Sequence, residues 1–220
     1  MGMKLHGHMS SPFVKSVAMT IYEKNEDFEL LFGGLSELKS EEFIATKNPF
    51  GLMPAFEDGD LILFESRAIA KYVDAKFEGQ GTCLMGSNIR DQALVNVWIE
   101  VEGHTFFSAI WPICREFYSK KVPDVTVIET HIVKVKKVFD IYEAQLSKHK
   151  YLAGEFFSFA DLFHIPTLHF LQCLSEDVFR RILDGQSRLQ SWHQDITSRP
   201  SWKKIIARPE ASDWSYIEKV

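Results

Sequence analysis

The chain has 220 residues, 45% of them hydrophobic, and Lys+Arg 25 against Asp+Glu 30 leave a net charge of −5. Disordered chains combine low hydrophobicity with high net charge, and nucleic-acid binding requires clustered Lys and Arg, so neither class fits. No run approaches the roughly 18 apolar residues of a membrane span, and the three cysteines, Cys83, Cys114 and Cys173, are too scattered for a disulfide framework or a Cys-x-x-Cys motif and are expected to be free and buried.

Met3 to His6 reads as a short strand ending at Gly7, after which Phe13, Val14, Val17, Ala18 and Ile21 recur at helical spacing up to Lys24-Asn25. Phe28 to Phe32 reads as a second strand and Glu41 to Thr46 as a short helix. Asn48-Pro49-Phe50-Gly51 is a turn. Pro54-Ala55-Phe56 and Leu61-Ile62-Leu63-Phe64 then flank Asp58-Gly59, the strongest short-range signal for a hairpin. Glu65-Ser66 opens a helix through Ala68, Ile69, Tyr72 and Val73, giving the order β-α-β-α-β-β-α and predicting a small mixed sheet covered by helices.

Glu78-Gly79-Gln80-Gly81-Thr82 breaks this pattern as a linker, and every later signal is helical. Leu94, Val97, Trp98, Val101 and Phe106 mark one long face, in which Trp111-Pro112 is expected to bend the helix. Ile128, Ile132, Val135, Val138, Phe139 and Tyr142 mark another, with Lys134, Lys136 and Lys137 as its solvated side. Ser158-Phe159-Ala160-Asp161 has capping-box spacing ahead of Leu162 to Leu174, and a last helix is predicted from Leu189 to Ser198, stopped by Arg199-Pro200. The predicted domains are 1–78, a linker at 79–87, and an all-α domain at 88–220.

Three features carry chemistry. Ser11, followed by Pro12, sits at a helix start, where dipole and hydrogen bonds stabilise an anion such as a thiolate, although an ordinary N-cap serine has the same look. Met53-Pro54, between a turn and a strand, can expose backbone groups that pair with an extended peptide; a proline merely opening an edge strand is the alternative. Glu65-Ser66 offers an acid for an ammonium and helix-start N–H groups for a carboxylate, while capping alone would also explain it. No Gly-x-Ser-x-Gly elbow is present, Gly79-x-Gly81 lacks the context of a dinucleotide loop, and the eight histidines form no metal pattern, His164 and His169 being five apart.

Together these features describe a receptor for a small thiol peptide, and the sequence resembles the cytosolic glutathione transferases, most closely the plant phi class. The resemblance is carried by Asn48-Pro49-Phe50-Gly51, Pro54-Ala55-Phe56-Glu57-Asp58-Gly59-Asp60, Leu63-Phe64-Glu65-Ser66-Arg67-Ala68-Ile69, Gln80-Gly81-Thr82, Tyr151-Leu152-Ala153-Gly154-Glu155, Ala160-Asp161-Leu162, His164-Ile165-Pro166 and Arg199-Pro200-Ser201-Trp202-Lys203-Lys204. Ser11-Pro12-Phe13-Val14 looks more like the tau class.

It implies a thioredoxin-like N-terminal domain that binds glutathione as co-substrate, with no metal, and an all-α C-terminal domain that completes a pocket for a small hydrophobic electrophile. Ser11 would hold the glutathione sulfur as thiolate. Met53 would pair with the cysteinyl segment ahead of a cis Pro54, Glu65 and Ser66 would hold the γ-glutamyl end, and Lys39 would reach the glycine end. Phe13, Leu35, Phe106, Phe107, Ile110 and Phe117 are the expected acceptor-pocket residues, with core packing as the alternative for each. A homodimer keyed by Phe50, a cytosolic location, and no nucleic-acid or membrane partner complete the expectation.

Departures accompany the match. The phi-class histidine before Lys39 is missing, the glutamine after Asn-Pro-Phe-Gly is Leu52, and the positive charge expected after the serine survives as Lys15. Loss of one or two charge-assisted contacts, at about 1 to 3 kcal/mol each, would weaken glutathione binding about ten- to a hundredfold. Conjugation is therefore the leading function. A non-catalytic carrier of flavonoid-like aromatic metabolites and a glutathione-dependent peroxidase are the alternatives.

Overall fold

Leu5 and Phe56 have no exposed surface and lie directly opposite each other on neighbouring strands, forming the centre of the first of two structural units. The computed structural model describes residues 2–213. Their contacts separate residues 2–83, together with 200–213, from Leu84–Arg199. Residues 214–220 of the expected helical domain lie outside the described residues.

The first unit runs β1 (Lys4–His6), α1 (Pro12–Glu23), β2 (Glu29–Leu31), α2 (Leu35–Leu38), α3 (Glu41–Thr46), β3 (Ala55–Asp58), β4 (Leu61–Phe64) and α4 (Ser66–Lys76). The strand order is β2-β1-β3-β4, with β1 parallel to β2 and antiparallel to β3. This is the thioredoxin-like arrangement expected from the sequence, with the single-turn α2 added. Strand alternation sends Phe56 toward α4, where its ring lies 6.2 Å from that of Tyr72. It sends His6 to the opposite face, 6.0 Å from the ring of Phe43 on α3.

Every residue of α1 except Phe13 is buried, including its charged ones. Such charges need partners, since an unpaired buried ion costs several kcal/mol. At the end of α1, Lys24 donates to Asp74 at 2.9 Å and to the Thr82 carbonyl at 3.1 Å, while Glu23 accepts from the hydroxyls of Thr82 and Ser201. These bonds fasten α1 to α4, to the linker, and to a further helix that begins at Pro200.

The second unit contains α5 (Ile89–Glu100), α6 (Phe107–Ser119), α7 (Val125–Leu146), α8 (Phe159–Leu162), α9 (His164–Leu174), α10 (Glu176–Leu183) and α11 (Ser187–Thr197). The final helix, α12 (Pro200–Ile206), groups with the first unit. Pro200, expected to stop a helix, opens this one. Its Trp202 is buried, and the Lys15 ammonium stands 5.9 Å from that ring. This grouping differs from an all-α domain running from residue 88 to the end of the chain.

Helix α6 is continuous through Pro112, and the departure from α geometry lies upstream, in a wide π turn at Val101–Phe106. Ile128, Ile132, Val135, Phe139, Tyr142 and Leu146 give α7 its buried stripe at helical spacing. The predicted capping box is present at α8. Asp161 is fully buried and accepts from the backbone N–H groups of Leu152 and Ser158, both at 3.1 Å, and from Trp192 Nε1 at 2.9 Å. Burial nevertheless pushes its carboxyl up to about 6. The cysteines differ from expectation: Cys114 is buried, with its thiol pushed up by desolvation, whereas Cys83 and Cys173 are exposed.

His193, on α11 beside Phe179, has a buried Nε2 with no hydrogen-bond partner among the described residues, and burial holds it down to about 4. Its folded value lies below the unfolded value near 6.5, so the unfolded chain takes up the proton first and stability falls as pH falls. Urea unfolding from pH 7 down to pH 4 should show wild type losing up to about 3 kcal/mol more than His193→Leu. Equal losses in the two proteins would contradict this origin.

Candidate active site

Strand register brings the three chemistry-bearing features of the first unit to one end of its sheet. His6 pairs with Ala55, and Ala55 with Phe64. The residues just beyond that row are Gly7 to Ser11 after β1, Met53-Pro54 before β3, and Glu65-Ser66 after β4, so all three emerge side by side.

Ser11 is the N-cap of α1, in extended backbone (φ −65°, ψ 126°) with Pro12 as the first helical residue. Its N–H donates to the His8 carbonyl at 3.0 Å, and its own carbonyl accepts the first helical bond from Lys15 at 3.0 Å. Its side chain makes no capping bond, and its hydroxyl has no hydrogen-bond partner among the described residues. A hydroxyl held at a helix start but left uncommitted can donate to an anion placed there.

Met53 joins Pro54 through a cis peptide. Asn48 shapes the preceding loop, its amide donating to the Leu52 carbonyl at 2.8 Å and its oxygen accepting from Phe50 N–H at 3.0 Å. Among the described residues, neither the N–H nor the carbonyl of Met53 takes part in a hydrogen bond. Exposed backbone groups of this kind are what an added extended peptide pairs with. His8 connects this loop to Ser11, because its N–H donates to Met53 Sδ at 3.3 Å while its carbonyl receives Ser11. Gly7 permits the approach: a Cβ there would stand 2.5 Å from Val14 Cγ2 and 3.1 Å from Met53 Cβ, and its φ is +147°.

Glu65 caps α4 from a left-handed backbone (φ 70°, ψ 107°), a conformation of order 1 kcal/mol or more above relaxed geometry for a non-glycine residue. Glu65 is exposed and Ser66 buried, and neither side chain has a hydrogen-bond partner among the described residues. Lys39, at the end of α2, donates to the Gly51 carbonyl at 2.7 Å. Lys15, whose charge the sequence reading counted as surviving near the serine, is fully buried beside Trp202.

Of the expected acceptor-pocket residues, Phe13 is half-buried and Leu35 exposed in the first unit. In the second, Phe106 and Ile110 have no exposed surface, and Phe106 stacks on Phe139 at 5.9 Å within the core of its own unit. Phe107 and Phe117 are half-buried. Three half-buried aromatics there form a ladder against the buried Phe170: Phe107 stacks on Trp111 at 5.0 Å, Trp111 on Phe170 at 5.9 Å, and Tyr118 lies 5.8 Å from Trp111. Trp111 and Tyr118 were missed, although Trp111 follows Phe107 by four residues. His8 and Gly7 were missed as well, their only signal being a strand end directly before the N-cap serine. No group of His, Cys, Asp or Glu among the described residues could hold a metal ion, and no described helix is long and apolar enough to cross a membrane.

The family models for the glutathione S-transferase N-terminal domain and C-terminal domain match residues 1–75 and 105–200. A glutathione S-transferase of Hyoscyamus muticus is 39% identical over 212 residues, with 94% of this chain and 98% of the relative covered. Glutathione S-transferase F11 of Arabidopsis thaliana is 35% identical, with 94% and 98% covered. Among solved structures, glutathione transferase F7 from Populus trichocarpa superimposes with a TM-score of 0.87 at 40% identity, covering 96% of this chain and 100% of that one. Glutathione S-transferase I from maize, in complex with an atrazine–glutathione conjugate, gives 0.84 at 36% identity, covering 94% and 97%. The sheet end with its free serine and the match over nearly the whole length lead to one statement: this chain belongs to the glutathione S-transferase family, in its plant phi class.

Proposed function

We propose that this enzyme conjugates glutathione to small hydrophobic electrophiles through a thiolate held at Ser11. The observation that carries the reading is the Ser11 hydroxyl, fixed at the start of α1 and bonded to nothing among the described residues. Glutathione binds in extended form, its cysteinyl backbone on Met53, its γ-glutamyl ammonium on Glu65, its α-carboxylate at the start of α4 beside Ser66, and its glycine end toward Lys39. The serine hydroxyl and the α1 dipole favour the charged sulfur, together by about 2 to 4 kcal/mol, which lowers the thiol from its usual value near 8.5 by one unit or more. The thiolate attacks an electrophilic carbon; the S–C bond forms as the leaving group, such as a halide, departs with its electron pair, and the thiol proton goes to solvent. The enzyme acts in the cytosol.

A second reading, carriage of planar aromatic metabolites, is supported by the ladder of Phe107, Trp111, Tyr118 and Phe170 in the helical unit. Phe107 and Phe117, rather than the buried Phe106 and Ile110, are the accessible acceptor contacts of that unit. Assembly as a homodimer is proposed through Phe50, whose side chain is 65% exposed at the tip of the Asn48 turn, next to Phe64.

With a chromogenic aryl halide, Ser11→Ala should lower kcat/KM about tenfold to a hundredfold while glutathione affinity, measured calorimetrically, changes little. Undiminished turnover would remove Ser11 from the mechanism. Aromatic ligands that quench the tryptophans equally in both proteins, with no conjugation in either, would favour carriage instead. Sedimentation of Phe50→Ala should show a shift from dimer toward monomer at micromolar concentration; an unchanged dimer would show that this side chain is not the key.

A further inference from the structure

We propose that this enzyme reads its thiol donor at the γ-glutamyl and cysteinyl parts and only weakly at the glycine end. γ-Glutamyl thiol tripeptides whose terminal carboxylate is esterified or amidated are then donors comparable to glutathione. The inference rests on the placement of glutathione proposed above.

The two ends of the donor meet different surfaces. An ammonium and a carboxylate on the same carbon need an acid beside helix-start amides, and Glu65 with the N-terminus of α4 supplies both. The cysteinyl segment on Met53 then directs the remaining residue back along the loop before Met53, toward Gly51 and α2. Between Ser40 and Met53 the polar side chains are acidic or already engaged. Ser40 caps α3, accepting from Phe43 N–H at 3.1 Å, and Lys47 is held by Glu57 at 2.5 Å. Asn48 spends both its amide groups on the turn.

Glu41 and Glu42, exposed at the start of α3, would repel a carboxylate rather than hold it. Leu52, directly before Met53, is 56% exposed and offers no donor. Among the described residues of this stretch, the cation not taken by a carboxylate is Lys39. Its stem lies against Gly51, where a Cβ would stand 3.3 Å from Lys39 Cδ and only 2.8 Å from the Leu38 carbonyl at a φ of +59°. Its ammonium already donates to the Gly51 carbonyl and is otherwise in water. One exposed ion pair discriminates by no more than about fivefold, because water screens it and the lysine must be immobilised to make it.

The test uses the intact enzyme, one aryl halide acceptor and three donors: glutathione, its glycyl ethyl ester and cysteinylglycine. The ester should keep kcat/KM within about fivefold of glutathione, whereas cysteinylglycine, which lacks the γ-glutamyl end, should fall about a hundredfold or more. Lys39→Gln should bring the glutathione-to-ester ratio to about one, and Leu52→Gln, which restores a donor, should raise it above the wild-type ratio. An ester more than about twentyfold poorer than glutathione, or a ratio indifferent to both substitutions, overturns the inference while leaving the glutathione site intact. Failure of glutathione itself as a donor, or cysteinylglycine working equally well, overturns the parent reading and this inference with it.

Discussion

Helix starts carry unsatisfied N–H groups, and how this chain satisfies them separates its scaffold from its site. Ser40, Asn88, Asp124, Ser158 and Ser175 each turn a side chain back onto the helix they begin. Ser11 and Glu65, at the starts of α1 and α4, do not. These two starts stand at the same end of the sheet, flanking the Met53 backbone, which has no hydrogen-bond partner among the described residues. An N-cap side chain that forgoes its bond sacrifices about 1 kcal/mol of stability, and Glu65 adds backbone strain on top. Both are paid for by a scaffold anchored elsewhere, and both leave positive potential where a small anionic peptide can lie.

The anchoring is visible in the buried charges. At the far end of α1, Lys24 and Glu23 bind α4, the linker and α12, so the helix that begins after Ser11 is fixed from behind. In the helical unit Asp161 plays the corresponding part, gathering Leu152, Ser158 and Trp192 around one carboxylate. In the proposed mechanism, elements positioned in this way would let a single hydroxyl act on a bound sulfur without reorganising first. The modest net charge of the chain fits the proposed site, in which local helix ends, rather than a basic surface, would hold the ligand.

Much of this was legible from residue order. The Asp58-Gly59 hairpin, the helix from Glu41 to Thr46, and the capping box at Ser158 rest on local rules of turn and cap chemistry, and each formed where those rules put it. Features decided by distant contacts were not legible. Pro200 stops one helix and starts another because Trp202 and Ser201 find partners on α1, some 180 residues earlier in sequence. Lys15 stands where the resemblance implies a positive charge after Ser11, yet helix rotation buries it beside Trp202. Phe106 and Trp111 lie on neighbouring turns of one helical run, and only tertiary packing makes the first fully buried and leaves the second half-exposed. His8 is invisible to any motif, since its role is carried by its backbone.

The charge state of the bound sulfur tests the whole account most directly. Ultraviolet absorbance of the thiolate, followed across pH in a saturated complex of the wild-type enzyme with glutathione, gives the midpoint of its ionisation. A midpoint at least one unit below the value near 8.5 of a free thiol is the predicted result. A saturated complex whose thiol ionises where free glutathione does would contradict the claim that the start of α1 activates it.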